Sequence, residues 1–133
     1  MRIFADTNFL VSAFATRGLS PEVFELILAK HELMTGEFVL AELERILSEK
    51  YKLPDEIIAE TIRLLYRHHV EPMPAAPSEI QVSDEDDRWV LASALNAKAE
   101  VLITGDNDLL EIADQVKQLK IITPRRFWEL TQQ

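Results

Sequence analysis

The chain has 133 residues, 47% apolar and 28% charged, which suffices for one soluble domain with a sizeable core. It contains no cysteine, so disulfides, zinc–thiolate centres and thiol nucleophiles are excluded, as suits a reducing compartment. Its formal net charge of −9 is opposite to that of most nucleic-acid binders, which gain affinity by neutralising phosphates.

No apolar stretch approaches the roughly 20 residues a membrane helix needs. The opening MRIFADTN, one base and then an aspartate, is no signal peptide. The expectation is a cytoplasmic protein with no membrane association.

In chain order, residues 2–5 predict a short strand and 9–15 a short apolar helix. Ser20-Pro21-Glu22 predicts a helix start, with Ser20 as N-cap and Pro21 in the first turn. Its apolar positions Val23, Phe24, Ile27 and Leu28 recur at helical spacing. Residues 31–34 predict a second strand. Gly36 then leads into a helix over 37–49 with a stripe of Val39, Leu40, Leu43, Ile46 and Leu47.

Pro54 opens another helix, and 69–73 predict a strand. The Pro-rich 72–79 is too short for a domain linker. A helix over 84–98 follows, then a strand over 100–104, a short helix after Asp108, a strand over 119–122 and a last helix from Pro124. Strands alternating with helices imply a parallel sheet covered on both faces.

The acids carry the chemistry. Apolar runs of strand type stop at Asp6 in FADTN and at Asp106 in LITGDNDLL, with Asp108 two residues on. Sites in parallel α/β proteins form at the carboxyl ends of strands, so these acids are candidates to converge there. Crowded carboxylates raise each other's pKa or recruit a hard cation such as magnesium or manganese. The plainer alternatives are capping of the following helix by Asp6 and an ordinary turn at Asp106 or Asp108.

At about 100° per residue, Asp87 falls on the stripe of Val90, Leu91, Ala94 and Leu95, the buried face of its helix. A carboxylate there is costly unless paired or metal-bound. Asp84 falls on the same side, but as an N-cap it needs no metal, and Asp86 suits the first turn. Glu42 and Glu44 flank the stripe of the 37–49 helix, and periodicity does not choose between them. No histidine spacing suggests zinc, and three glycines build no phosphate loop.

Together, IFADTNFLVSAF, AELERILSEKYKLP, DEDDRWVLASALNAKAEVLITGDNDLL and IITPRRFWEL resemble, in order and spacing, the PIN-domain nucleases. The similarity is to the VapC-like toxins of prokaryotic toxin–antitoxin modules, over nearly the whole chain. It implies an α/β fold, a single PIN domain over 1–133 arranged as a three-layer α/β/α sandwich around four to five parallel strands. It implies a catalytic and metal-binding set of Asp6, Glu42, Asp87 and Asp106, with Asp108 as an extra metal-binding acid and Asn8 and Thr104 in support. Asp84 is an acid that the family's core pattern does not require.

The activity implied is RNA cleavage with Mg2+ or Mn2+, the metal activating water and offsetting charge on the leaving oxygen. A cognate antitoxin and a homodimer are the implied protein partners; exposed apolar residues of the 22–30 and 55–66 helices are candidate contacts, although core packing is the expected use of most of them. Arg17, Arg88, Arg125 and Arg126 are candidate substrate contacts, each equally readable as an unpartnered surface cation. The alternative is a non-catalytic RNA- or protein-binding module of the same fold, whose signature would be a missing acid. None is missing.

Overall fold

The computed structural model describes residues 1–133. Five strands, β1 (Arg2–Ala5), β2 (Glu32–Gly36), β3 (His69–Glu71), β4 (Val101–Ile103) and β5 (Lys120–Ile122), form one sheet. The order is β3-β2-β1-β4-β5 and every pairing is parallel. Seven α-helices complete a three-layer α/β/α arrangement: α1 (Thr7–Ala15), α2 (Leu19–Lys30), α3 (Glu37–Glu49), α4 (Asp55–Tyr66), α5 (Glu85–Asn96), α6 (Asn107–Glu111) and α7 (Pro124–Thr131).

The central strands β1 and β4 are short and apolar apart from Arg2, because both faces of a parallel sheet are covered. Ile3, Phe4 and Ala5 are fully buried, as are Leu102 and Ile103. Helices supply the rest of one continuous core, including Phe9, Leu10, Val23, Ile27, Leu43, Leu47, Leu65 and Leu91. Phe24 of α2 packs edge-on to Phe14 of α1, with ring centres 5.0 Å apart. Phe38 of α3 stacks on Trp89 of α5 at 6.3 Å, drawing together two acid-bearing helices.

Chain direction reverses its march across the sheet between β1 and β4. From β1 the chain moves outward to β2 and β3, then returns to β4 on the other side and continues to β5. The crevice beyond the carboxyl ends of strands at such a switch point is where α/β proteins bind ligands. Ala5 pairs with Ile103 there, and the Asp6 N–H donates to the Ile103 carbonyl at 3.1 Å. Residues nearly a hundred apart in sequence, Asp6 and Thr104, thus leave adjacent strands side by side.

Two boundaries differ from the sequence expectation in a way that matters. The second helix starts at Leu19, with Gly18 as its cap residue at φ 112, so Ser20 lies inside the first turn and caps nothing. A left-handed residue at position 18 suits glycine, and Pro21 still falls where no N–H is required. In the short helix α6, Asp106 is the N-cap, accepting from the Asp108 N–H at 2.8 Å. The side chain of Asp108, two residues on, is left without a capping role. A 3-10 turn over Ala113–Gln115 was not foreseen.

Gly36 ends β2 against Ser93 of α5 and Phe4 of β1. A Cβ there would sit 3.3 Å from the Ser93 Cβ and 3.4 Å from the Phe4 ring. Gly36→Ala is expected to cost about 1–2 kcal/mol by overpacking, read as a lower urea midpoint with unchanged slope.

Candidate active site

Each acid arrives by its own local logic. Asp6 closes β1 and caps α1, its Oδ1 accepting the Thr7 N–H at 2.7 Å. Its Oδ2 accepts the Thr104 hydroxyl at 2.7 Å. That hydroxyl in turn accepts the Asp106 N–H at 2.9 Å, so one threonine side chain fixes both strand-end aspartates. Asn8 ties the same two segments together, its Oδ1 accepting the Gly105 N–H at 3.0 Å. Thr7 reaches the third helix, its hydroxyl donating to Glu42 Oε1 at 3.0 Å.

The helix starting at Glu85 turns Asp87 inward, and only 6% of that residue is exposed. Its Oδ2 is buried with no hydrogen-bond partner, the one such side-chain atom in the protein. A buried carboxylate oxygen without a donor is expensive. Carboxylate oxygens of Asp84, Asp87 and Asp108 lie within 4.8 Å of one another. Asp84 also caps α5, accepting the Asp86 N–H at 3.0 Å. Capping and site membership are therefore compatible for this residue.

The resulting cleft holds about 130 Å³ and is lined by nine residues, of which six are Asp6, Glu42, Asp84, Asp86, Asp87 and Asp106. No lysine, arginine or histidine lines it. Burial pushes the Asp6 carboxyl up to about 6, offset in part by the Thr104 and Thr7 hydrogen bonds and reinforced by Asp106 and Glu42. Asp87 rises further, to about 8, because burial is joined by a hydrogen bond and charge repulsion from Asp106, with Asp6 and Asp84 adding to it. Burial also raises Glu42, with Asp86 and Asp84 contributing. Such acids are poorly served by the protein alone, and a hard divalent cation held by oxygen ligands fits them. The orphaned Asp87 oxygen points to the same conclusion.

The family model described as PIN domain matches residues 2–108. The chain belongs to the PIN-domain family. Its fold is that of several solved PIN-like structures. VapBC2 from Rickettsia felis bound to a DNA fragment from their promoter matches with a TM-score of 0.63 and 16% identity, over 92% of this chain and 98% of the other. Mycobacterium tuberculosis VapC20, a Sarcin-Ricin loop cleaving toxin, matches at 0.59 and 18% identity over 82% and 93%. FitAcB from Neisseria gonorrhoeae gives 0.63 at 14% identity over 92% and 97%. A search among curated protein sequences finds no match.

Within this PIN domain the structure decides what periodicity left open at the third helix. Glu42 is half-buried in the acidic cleft, whereas Glu44 is exposed between α3 and α4. Asp106 and Asp108 are both half-buried. Asp86 lines the cleft although its position reads as a simple first-turn acid, and Thr7 gave no sequence signal beyond capping.

The four candidate arginines separate. Arg88 is engaged, donating from Nε to the Ser78 carbonyl at 2.8 Å and pairing with Glu85 at 3.0 Å, which pins the Pro-rich loop to α5. Arg126 pairs with Glu129 at 3.7 Å on the same helix. Arg17 and Arg125 are exposed and form no ion pair.

The Thr104 hydroxyl is a point where support can be measured. Thr104→Val removes a donor to Asp6 and an acceptor for the Asp106 N–H at a residue that is itself fully buried. The expected cost is about 2–3 kcal/mol in stability, seen as a fall in thermal midpoint of the EDTA-treated protein. An unchanged midpoint would mean that the two bonds do not organise the site.

Proposed function

We propose that this protein is a metal-dependent endoribonuclease that acts as the toxin of a toxin–antitoxin module in the cytoplasm. The observation that carries the reading is the buried, unpartnered Asp87 oxygen within a cleft of six carboxylates at the switch point of a PIN fold. Membership of the family and the VapC-like fold support it.

Asp6, Glu42, Asp87, Asp106 and Asp108 would hold Mg2+ or Mn2+, and Asp84 joins them. When bound, the ion lowers the pKa of a coordinated water and offsets charge on the phosphodiester. Thr104, Thr7 and Asn8 orient the acids, so that the site is formed before substrate arrives. In the absence of cations the carboxylates repel phosphate, so the cleft should reject RNA.

The partners implied are RNA, a cognate antitoxin and a second copy of the chain. On α2, Val23, Phe24 and Ile27 are spent on the core, whereas α4 leaves Ile57 and Tyr66 about half exposed, at 45% and 54%. No helix is long and apolar enough to cross a membrane.

The test is cleavage of structured RNA by purified protein in manganese, magnesium and EDTA. Cleavage with either ion, abolished by EDTA and restored by excess metal, is expected. Full-rate cleavage in EDTA would overturn the metal assignment. A folded protein that cuts no RNA in either metal would favour the non-catalytic module. Relief of growth arrest by the product of the adjacent reading frame tests the toxin role.

A further inference from the structure

Beside the acidic cleft lies a second cavity of about 320 Å³, lined by Asn8, Phe9, Ser12, Ser20, Gly105 and Pro124. It is within the range of small-ligand clefts, about 300–1,000 Å³. In contrast to its neighbour it contains no acid, and Phe9 and Pro124 are its apolar residues. Asn8 lines both cavities, and Gly105 of this one directly precedes Asp106 of the other, so the two are neighbours on either side of this pair.

The donors in this cavity are unspent. Asn8 commits its Oδ1 to the Gly105 N–H, which fixes the amide and leaves its NH2 group without a protein acceptor. Ser20 does not cap α2, and neither its hydroxyl nor that of Ser12 has a side-chain bond to the protein. Arg17 lies three residues before Ser20 and Arg125 directly follows Pro124; both are exposed and unpaired. In a chain of net charge −9, two exposed, unpaired arginines thus lie close in sequence to residues that line a neutral, donor-rich hollow.

We infer that this cavity is a nucleotide subsite: it takes the ribonucleotide adjoining the scissile phosphate, with Arg17 and Arg125 on the flanking phosphates. This rests on the ribonuclease reading and adds to it where the strand runs. Ser12, Ser20 and the Asn8 amide present neutral hydrogen-bonding groups to ribose and base. The 2′-hydroxyl is what such groups use to separate RNA from DNA. The strand thereby gains its charge contacts away from the carboxylates, which resolves how so acidic a protein holds a polyanion.

The experiment measures binding apart from cleavage. Asp6→Asn protein in Mn2+ is titrated into a fluorescein-labelled single-stranded RNA and the anisotropy followed. Adding Ser20→Trp, which fills the cavity, is expected to weaken binding about tenfold. Ser12→Gln, from α1, provides a second obstruction if the first variant does not fold by circular dichroism. Arg17→Ala and Arg125→Ala should each reduce the slope of log K against log salt by about 0.7.

In the otherwise unaltered protein, Ser20→Trp should raise KM while kcat stays within about twofold. RNA affinity unchanged by a folded cavity-filling variant overturns the subsite. If binding depends on the cavity but the parent protein cuts no RNA in Mn2+, the nuclease reading fails and the cavity stands as an RNA-binding site alone.

Discussion

Asp87→Asn is expected to lower metal-dependent RNA cleavage by about a thousandfold, roughly 4 kcal/mol of barrier. Asp87 stands at the centre of the cluster: its oxygens face those of Asp84 and Asp108, and the charge of Asp106 adds to its burial in raising its proton affinity. Its Oδ2 has no donor from the protein, so a cation is the partner that this atom is placed to receive. The amide keeps the shape of the side chain but removes its charge. Mn2+ affinity by calorimetry should therefore fall together with the rate. Because a neutral amide avoids the cost of burying a charge, the metal-free variant should be at least as stable as its parent at pH 8. Cleavage within threefold of the parent would exclude Asp87 from the metal centre.

The second large effect is a stability that falls as pH rises in the absence of metal. Asp6 binds its proton up to about pH 6 in the folded chain, against an ordinary value of 3.8. Between these values the folded state holds more protons than the unfolded one, so stability decreases with rising pH. The contribution is present below about pH 4 and lost as pH passes through 6, and for Asp6 amounts to roughly 3 kcal/mol. Asp87, raised to about 8, extends the decline toward that pH.

Urea unfolding of EDTA-treated protein should show this loss between pH 5 and pH 8, and Asp6→Asn should show less of it. At pH 8, Mn2+ at a hundred times its dissociation constant should return about 2.7 kcal/mol. Equal pH dependence in parent and Asp6→Asn would remove Asp6 as the source.

The main elements were readable because their signals are local. The stripe on α3 and the prolines opening α4 and α7 depend on a few neighbouring residues. Errors arose where two residues compete for one role. Ser20 is a good cap, but Gly18 takes the turn one step earlier; Asp108 is a good cap, but Asp106 already fills that place. The strand ends shifted by a residue or two, since pairing with a neighbouring strand decides where a ladder stops.

By itself the sequence determined the fold class, the strand-end placement of Asp6 and Asp106 and the inward face of Asp87. Each follows from periodicity or from the abrupt end of an apolar run. Periodicity did not separate Glu42 from Glu44; the family resemblance picked Glu42, and the tertiary structure gave the physical reason, through the Thr7 hydroxyl and the approach of α3 to α5. It also brought Asp84 and Asp108 to Asp87, showed Arg88 to be a tether for its own loop, and opened the neutral cavity beside Asn8. The physical reason is common to all of these. Helical angle says which way a side chain points from its own axis, but what it meets depends on elements far away in the chain.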